Sequence, residues 1–246
     1  MKSVKQLTED YPVNSKHMVD YINYQERYKK NPRESDKTFV QLLRENVRTS
    51  VPKILDIGCS TGNLLRLIQT VIPSANLWGA DLNPEQIEYC KNDISLKKIN
   101  FKVMDICNIT NGPFHCITAN AVLAVIDESL FSKAIESIFK NLLPGGVFVC
   151  FDWFHPWKQD LVIVEKTDSF PEGLPLHFRS YETVISVLKK AGFERFKFHP
   201  FSIPIDIPKP NYDHITTYTE KLVDGGRLQF RGCLSQPWNH LVACKT

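Results

Sequence analysis

The chain has 246 residues, of which 43% are hydrophobic and 23% are charged. These fractions are typical of globular domains, so the chain can build a sizeable core within about one α/β domain. The 30 basic and 27 acidic residues leave a net charge of only +3, and no basic run stands out. Nucleic acid is therefore disfavoured as a partner, because its recognition usually depends on a concentrated basic patch.

The sequence indicates a cytoplasmic protein. Residues 1–12 mix lysine with acids and lack the apolar run of a signal peptide, and no segment approaches the roughly 20 apolar residues of a membrane helix. Among the seven cysteines, Cys116, Cys150 and Cys244 lie in apolar runs that predict buried strands. No cysteine or histidine pattern is typical of a metal site. We expect reduced thiols, no metal and no membrane insertion, and the sequence leaves the oligomeric state open.

Two helices are predicted ahead of the core. Tyr21, Tyr24 and Tyr28 would line one side of the first helix, either as a lid over a ligand or as ordinary packing. Ser35 is a candidate N-cap for the second helix. Four apolar residues share one face of that helix: Phe39, Leu42, Leu43 and Val47.

Between residues 51 and 152, short apolar runs alternate with amphipathic helices, which predicts β–α–β units around a parallel sheet. The five strands are predicted at residues 53–57, 76–80, 100–104, 114–119 and 147–151. The helix after the second strand has a clear start, with Asn83 as N-cap, Pro84 at its first position and Gln86 three residues after the cap. Another helix is predicted over residues 130–143.

After the core, a helix is predicted from Ser180 to Ala191 and is ended by Gly192. Strands follow at residues 193–203 and 240–245, and the Pro-, Tyr- and Gly-rich stretch between them is interpreted as an insertion over the active-site face. The whole chain is then one domain, with N-terminal helices, a cofactor-binding core and a substrate-side half. Their predicted ranges are 1–50, 51–152 and 153–246, with the insertion at about 204–238.

A glycine-rich turn follows the first strand, where residues 54–63 read Ile-Leu-Asp-Ile-Gly-Cys-Ser-Thr-Gly-Asn. Such a turn brings backbone N–H groups close to a ligand at the carboxyl end of the sheet. Dinucleotide sites use G-x-G-x-x-G, whose middle glycine lets the backbone approach the phosphates. Here Gly58 and Gly62 are present but Ser60 stands at the middle position, which argues against NAD.

Acidic residues follow the next two strands. Asp81 comes 19 residues after Gly62, where a carboxylate can accept hydrogen bonds from both hydroxyls of a ribose. NAD enzymes share this device, and Asp81 could instead serve only the dipole of the following helix. Asp105, after the third strand, could likewise be a solvated loop acid.

Together these features resemble the class I methyltransferases, which bind S-adenosylmethionine and share the motif D-x-G-x-G-x-G. The resemblance covers residues 50 to 152 and implies an α/β, Rossmann-like fold with a mostly parallel seven-stranded sheet, helices on both faces and a helical lid. It places Asp56 below the turn, the adenine amino group on Asp105 and Ile106 on the adenine ring. The residues that it assigns to the cofactor are Asp56, Gly58, Cys59, Gly62, Asp81, Leu82, Asp105, Ile106 and Asn120.

The fifth strand leads into Asp-Trp-Phe-His-Pro-Trp at residues 152–157. A hydroxyl or ammonium acceptor has to lose a proton, so a nearby base would help methyl transfer. His155 is the first candidate because its ordinary pKa is near about 6.5, and Asp152 is the second; both could instead only hydrogen-bond the loop. His177 and His214 are weaker candidates.

Several large aromatic residues lie on the substrate side, namely Trp153, Phe154, Trp157 and Trp238. They could stack on an acceptor, attract a cation or pack the insertion. The leading hypothesis is an O- or N-methyltransferase acting on a small molecule. A dinucleotide-dependent reductase is an alternative that Ser60 and the lack of a Tyr-x-x-x-Lys pair disfavour, and a non-catalytic protein that keeps the fold is another. Residues 120–123 lack the N/D-P-P-Y/F sequence of amino-methylating DNA enzymes.

Overall fold

A computed structural model describes residues 15–167, 170–211 and 216–246. Residues 1–12, where no export signal is predicted, and the candidate base His214 lie outside these ranges. The α-helices are α1 (Ser15–Glu26), α2 (Glu34–Asn46), α3 (Asn63–Val71), α4 (Pro84–Asn92), α5 (Glu128–Asn141) and α6 (Tyr181–Ala191). None of the helices in the described ranges is long and apolar enough to cross a membrane.

The strands fall into a core set and a set that belongs to insertions. The core strands are β1 (Lys53–Ile57), β2 (Asn76–Asp81), β3 (Asn100–Val103), β4 (Phe114–Asn120), β5 (Leu142–His155), β8 (Arg195–Pro200) and β12 (Trp238–Cys244). The inserted strands are β6 (Leu161–Thr167), β7 (Phe170–Ser180), β9 (Thr217–Lys221), β10 (Arg227–Arg231) and β11 (Leu234–Ser235).

The core strands form a twisted sheet in the order β3-β2-β1-β4-β5-β12-β8. Strands β1 to β5 run parallel, and β12 runs antiparallel to both of its neighbours. The predicted seven-stranded, mostly parallel sheet is confirmed. Its strand order changes direction at β1, and ligands of such sheets bind beyond the carboxyl ends of the strands at that point.

Helices cover both faces of the sheet, as predicted. Alternate residues of one strand serve opposite faces, so Leu55 packs beneath α5 and α6 while Ile54 packs beneath α2, α3 and α4. Phe148 and Val149 divide in the same way on β5. All four side chains are fully buried. Both faces of these strands are therefore covered, which is why their sequences are apolar runs.

Two insertions stand on the carboxyl side of the sheet. The fifth strand was predicted to end at Phe151 but continues to His155, where it pairs with the end of β7. The antiparallel β6–β7 hairpin was not predicted, and the structure adds it to the seven-stranded sheet. The second insertion follows β8 and contains a separate antiparallel sheet of β9, β10 and β11, within the stretch predicted at 204–238.

Helix ends follow local sequence signals with one exception. Asn83 caps α4 by accepting a hydrogen bond from the Glu85 N–H at 2.8 Å, and Ser180 caps α6. The prediction that Ser35 caps α2 is wrong, because the cap residue is Arg33 and Ser35 lies inside the first turn. The Ser35 carbonyl instead lies 3.1 Å from the Nε2 atom of His240.

Candidate functional site

The glycine turn after β1 is fixed to the end of β2 by backbone hydrogen bonds. The N–H groups of Gly58 and Cys59 both donate to the Ala80 carbonyl, at 2.7 and 2.9 Å. Gly58 has a φ of +75°, and a Cβ atom there would lie 2.3 Å from a methyl group of Val122. Only glycine therefore allows the turn to touch the loop that follows β4.

The turn continues through two further residues with left-handed backbone. Gly62 has a φ of +76° and Ser60 a φ of +50°. Ser60 accepts this conformation at the position of the missing middle glycine, and its N–H donates to Oδ2 of Asp81 at 2.9 Å. The turn and the acid at the end of β2 are thus one hydrogen-bonded unit.

Asp81 lies at the end of β2, and the loop holds its carboxylate in place. Its Oδ1 atom accepts from the Asn83 N–H at 3.0 Å, and the Leu82 N–H also bonds the carboxylate. Burial raises the pKa of Asp81 above its ordinary value. Each carboxylate oxygen has two lone pairs, so the group can still accept hydrogen bonds from a ribose.

Asp36 and Asp56 add two more buried acids beside the turn. Asp56 is 2% exposed and accepts a hydrogen bond from the Thr118 hydroxyl at 2.7 Å. Burial, helped by the negative charges of Asp36 and Asp81, raises the pKa of Asp56 to about 7. Asp36 is equally buried, and burial also raises its pKa. The Asn120 side chain donates to it at 3.0 Å.

The three acids Asp36, Asp56 and Asp81 form a cluster whose charge is costly in the free protein and is offset in part by Arg33, 3.7 Å from Asp36. A nearby positive charge would favour the ionised carboxylates and lower their pKa values. S-adenosylmethionine carries a sulfonium and an ammonium group, so the cluster fits this cofactor. Asp36 was missed by the sequence analysis because its partner Asn120 is 84 positions away and lies on a different element.

Helix α1 covers the outer side of the glycine turn. The Tyr21 and Ser60 hydroxyls are 2.7 Å apart, and the Asn63 side chain donates to the Gln25 carbonyl at 2.9 Å. These contacts agree with the predicted N-terminal lid. Of the other predicted tyrosines, Tyr28 lies beyond the end of α1.

Asp105 and Ile106 follow β3 at the same edge of the sheet. Asp105 is exposed and accepts a hydrogen bond from the Cys107 N–H at 2.8 Å, which caps a short 3-10 turn. Ile106 is 8% exposed. The carboxylate of Asp105 is thus exposed at this edge of the sheet, and the adenine contacts of Asp105 and Ile106 stay predictions.

Two buried charged groups hold the loop between β4 and α5 from opposite sides. Asp152 accepts hydrogen bonds from the N–H groups of Leu123 and Ala124, at 2.6 and 3.2 Å. Arg179, from β7, donates to the carbonyls of Leu123 and Ile126, at 2.7 and 2.6 Å. Both charged side chains are at most 2% exposed. They therefore fix the loop that contacts the glycine turn.

This clamp changes the expected role of Asp152. Its oxygens accept a third hydrogen bond, from the Trp153 N–H at 2.9 Å, and burial raises its pKa to about 6. The carboxylate is thus largely occupied by backbone donors. Arg179 was missed by the sequence analysis, because no pattern distinguishes a buried arginine inside an unpredicted hairpin.

His155 is placed at the end of β5 and is 4% exposed. Neither ring nitrogen has a hydrogen-bond partner among the described residues. Trp153, two residues earlier on the same face, stacks on Phe178 of β7, and Trp238 lies directly across from it on β12. The candidate base therefore lies two residues along β5 from an aromatic group that joins Trp153, Phe178 and Trp238.

The remaining candidates lie outside this aromatic group. Trp157 is 68% exposed, although its ring is 6.0 Å from that of His155. His177 is half-buried on β7, and burial lowers its pKa below the ordinary value. Phe154 points to the opposite face of the sheet, into the core beneath α5 and α6. The structure thus brings Trp153 and Trp238 together and places His155 two residues further along the same face of β5.

The family of the chain follows from comparison with known proteins. Residues 24–196 match the family model described as a methyltransferase domain. That range is more than half of the chain, which therefore belongs to this family of S-adenosylmethionine-dependent methyltransferases with a Rossmann-like fold. The resemblance and the cofactor class predicted from the sequence are confirmed.

Its relatives include proteins with named activities and one without. The chain is 33% identical over 120 residues to uncharacterized protein RP028 of Rickettsia prowazekii, covering 46% of this chain and 48% of that protein. It is 22% identical over 172 residues to the ubiquinone/menaquinone biosynthesis C-methyltransferase UbiE of Desulfotalea psychrophila, covering 61% and 69%. The chain thus spans about half the length of the first relative.

Solved structures show the same fold at low identity. An S-adenosylmethionine-dependent methyltransferase of Methanosarcina mazei superposes with a TM-score of 0.60 at 16% identity, covering 82% of this chain and 96% of that one. A TehB-like methyltransferase of Corynebacterium glutamicum gives 0.59 at 15% identity, covering 95% and 100%.

Proposed function

We propose that the chain transfers the methyl group of S-adenosylmethionine to an oxygen or nitrogen atom of a small molecule. The observation that carries the proposal is the cluster of Asp36, Asp56 and Asp81 around the glycine turn. These buried acids would repel the two phosphates of a dinucleotide, whereas they attract a ligand with a sulfonium and an ammonium group. The same observation disfavours the reductase.

The cofactor residues have separate tasks in this proposal. Asp81 accepts hydrogen bonds from the ribose hydroxyls, Asp105 accepts from the adenine amino group, and Ile106 packs on the adenine ring. The turn from Gly58 to Gly62 surrounds the methionine end. Bound there, S-adenosylmethionine supplies a methyl group that is electrophilic because it is attached to a sulfonium.

The acceptor side supplies alignment and a base. Methyl transfer is an in-line displacement, so the enzyme gains most from fixed geometry and from the exclusion of water. Asp152 and Arg179 fix the β4–α5 loop, and His155 takes the proton that a hydroxyl or ammonium acceptor releases. Relatives named for ubiquinone, menaquinone and sterol methylation support a small-molecule acceptor.

The test is release of S-adenosylhomocysteine in a coupled assay, with panels of hydroxyl, amine and carboxylate acceptors. We expect turnover with at least one hydroxyl or amine acceptor and a loss of about 100-fold or more in His155→Phe. The control is Asp224→Asn, an exposed position before β10. Cofactor binding without turnover on any acceptor would favour the non-catalytic alternative, and product spectra that place the methyl group on carbon would refute the assignment to oxygen or nitrogen.

A further inference from the structure

The end of the sheet next to the acid cluster carries three aromatic residues in a row. Phe151, Trp153 and His155 alternate along β5 and therefore point to one face. Phe151 lies beside the His240 ring, with centroids 4.4 Å apart, and the His240 Nε2 atom is 3.1 Å from the Ser35 carbonyl. The row thus begins next to the first turn of α2, which carries Asp36 of the acid cluster.

The row combines flat apolar surface with unused hydrogen-bonding groups. Trp238 stacks on Phe151 at 4.5 Å and 5°, and Trp153 stacks on Phe178 at 4.6 Å and 21°. The indole N–H groups of Trp153 and Trp238 are buried, as are both ring nitrogens of His155, and none has a partner among the described residues. Buried tryptophan N–H groups usually find an acceptor, so these groups are candidates to bind an oxygen atom of a ligand.

We infer that this row binds a planar phenol or enol that carries a second oxygen atom. The inference rests on the proposed function and names its acceptor class. Stacked aromatic rings favour another flat ring. The two indoles can only donate, so they require an oxygen acceptor, and the imidazole of His155 offers an acceptor nitrogen to the hydroxyl.

A cationic acceptor fits this environment less well, although tryptophan faces can attract cations. The acids that lie near the row in the sequence are already bonded: Asp152 to three backbone N–H groups, Asp160 to Ser180 and Thr183, and Glu165 to Arg231. Asp36, close to the start of the row, is likewise bonded to Asn120 and lies 3.7 Å from the Arg33 guanidinium. An ammonium group would therefore meet indole N–H donors, whereas the nearby carboxylates are already bonded to other groups.

Every bond and proton that changes in the methyl transfer is accounted for by the acceptor, the cofactor and His155. The hydroxyl oxygen of the acceptor forms the new bond to the methyl carbon while the carbon–sulfur bond of the sulfonium breaks, which leaves S-adenosylhomocysteine. The hydroxyl proton passes to the free nitrogen of His155. The indoles of Trp153 and Trp238 hold the second oxygen and so orient the ring.

Three ligands of similar size separate the possibilities: methoxynaphthol, naphthalene and naphthylmethylammonium. Each is titrated calorimetrically into the full-length protein that has first been saturated with S-adenosylhomocysteine. We expect methoxynaphthol to bind at least about tenfold more tightly than naphthylmethylammonium. Trp153→Phe and Trp238→Phe keep an aromatic ring and remove the N–H, so each should weaken methoxynaphthol by about 3- to 10-fold and leave naphthalene unchanged.

The affinity for S-adenosylhomocysteine shows whether each variant is folded. It also separates a failure of the proposed function from a failure of the inference alone. Failure of S-adenosylhomocysteine to bind the unaltered protein refutes the proposed function and the inference with it. If S-adenosylhomocysteine binds normally, any of three results overturns the inference alone. These results are that naphthylmethylammonium binds best, that methoxynaphthol does not bind, or that both tryptophan variants bind methoxynaphthol as the parent does.

Discussion

The buried carboxyl group of Asp56 predicts an unusual dependence of stability on pH. Burial raises its pKa from 3.8 to about 7, and the charges of Asp36 and Asp81 act in the same direction. The hydrogen bond from Thr118 offsets only part of this shift. In the unfolded chain the group ionises near its ordinary value, so unfolding between these pH values releases a proton from Asp56.

The sign of the effect follows from that proton. The contribution of Asp56 to stability is largest below pH 4, falls as the pH rises towards 7 and stays low above it. Each pKa unit corresponds to about 1.4 kcal/mol, so the loss between pH 5 and pH 8 is at most about 3 kcal/mol. Relaxation around the charge reduces this value, and we expect about 1–3 kcal/mol.

The perturbation is Asp56→Asn, which cannot ionise but can still accept a hydrogen bond from Thr118. The free energies of unfolding in urea are measured for both proteins at pH 5 and pH 8. From pH 5 to pH 8 their difference should move by about 1–3 kcal/mol in favour of the variant. Taking the difference removes the contributions of groups that do not interact with Asp56. His240 is one of them, and burial lowers its pKa to about 4.

An exposed aspartate provides the control for this comparison. Asp224→Asn changes the same functional group in an exposed turn, and its difference from the parent should be the same at both pH values. The reasoning would be refuted if the Asp56→Asn difference did not change with pH, or if it moved against the variant.

Further predictions concern the turn, the clamp and the cofactor. Gly58→Ala should lower the free energy of unfolding, measured in urea, by about 2–4 kcal/mol, because the new Cβ atom would meet Val122. Gly225 has a similar φ and open space around it, so Gly225→Ala should cost only about 1 kcal/mol. Equal losses in the two variants would contradict the reasoning. Arg179→Met should lower the free energy of unfolding by about 2–4 kcal/mol in the same assay, because two backbone carbonyls of the loop lose their donor. Arg179→Lys should recover only part of this loss. An unchanged free energy of unfolding in Arg179→Met would argue against the clamp. In calorimetry, S-adenosylmethionine should bind more tightly as the pH rises from 6 to 8 and Asp56 ionises, and an affinity that falls over this range would contradict the role of the acids.

The positions of the glycine turn and of its acid could be predicted because their signals are local in sequence. The strand before Gly58, the cap at Asn83 and the acid at Asp81 each depend on residues within a few positions. Hydrophobic periodicity then places these pieces at one edge of a parallel sheet. Right-handed crossovers put the connecting helices on both faces of the sheet, whereas the order of the strands comes from the structure.

The acceptor half could not be predicted in the same way, because its contacts join distant segments. Arg179 meets the β4–α5 loop across 56 and 53 positions. The same reason hid Asp36 in the cofactor half, since it meets Asn120 across 84 positions. The β6–β7 hairpin exposes Val162 and Val164 on its outer side, so its strands lack a clear alternation of buried apolar residues. The Ser35 cap failed because α2 begins at Glu34, one residue before Ser35, which places Ser35 inside the first turn.

The central claim is that the glycine turn and its acids hold S-adenosylmethionine, and calorimetric titration tests it most directly. The unaltered protein and Asp81→Asn are titrated with S-adenosylmethionine, S-adenosylhomocysteine and NADH, with Asp224→Asn as the control. We expect both adenosyl ligands to bind the unaltered protein and the control, and to bind Asp81→Asn about 10- to 100-fold more weakly. Binding of NADH in place of the adenosyl ligands, or adenosyl binding that is unaffected in Asp81→Asn, would contradict the account.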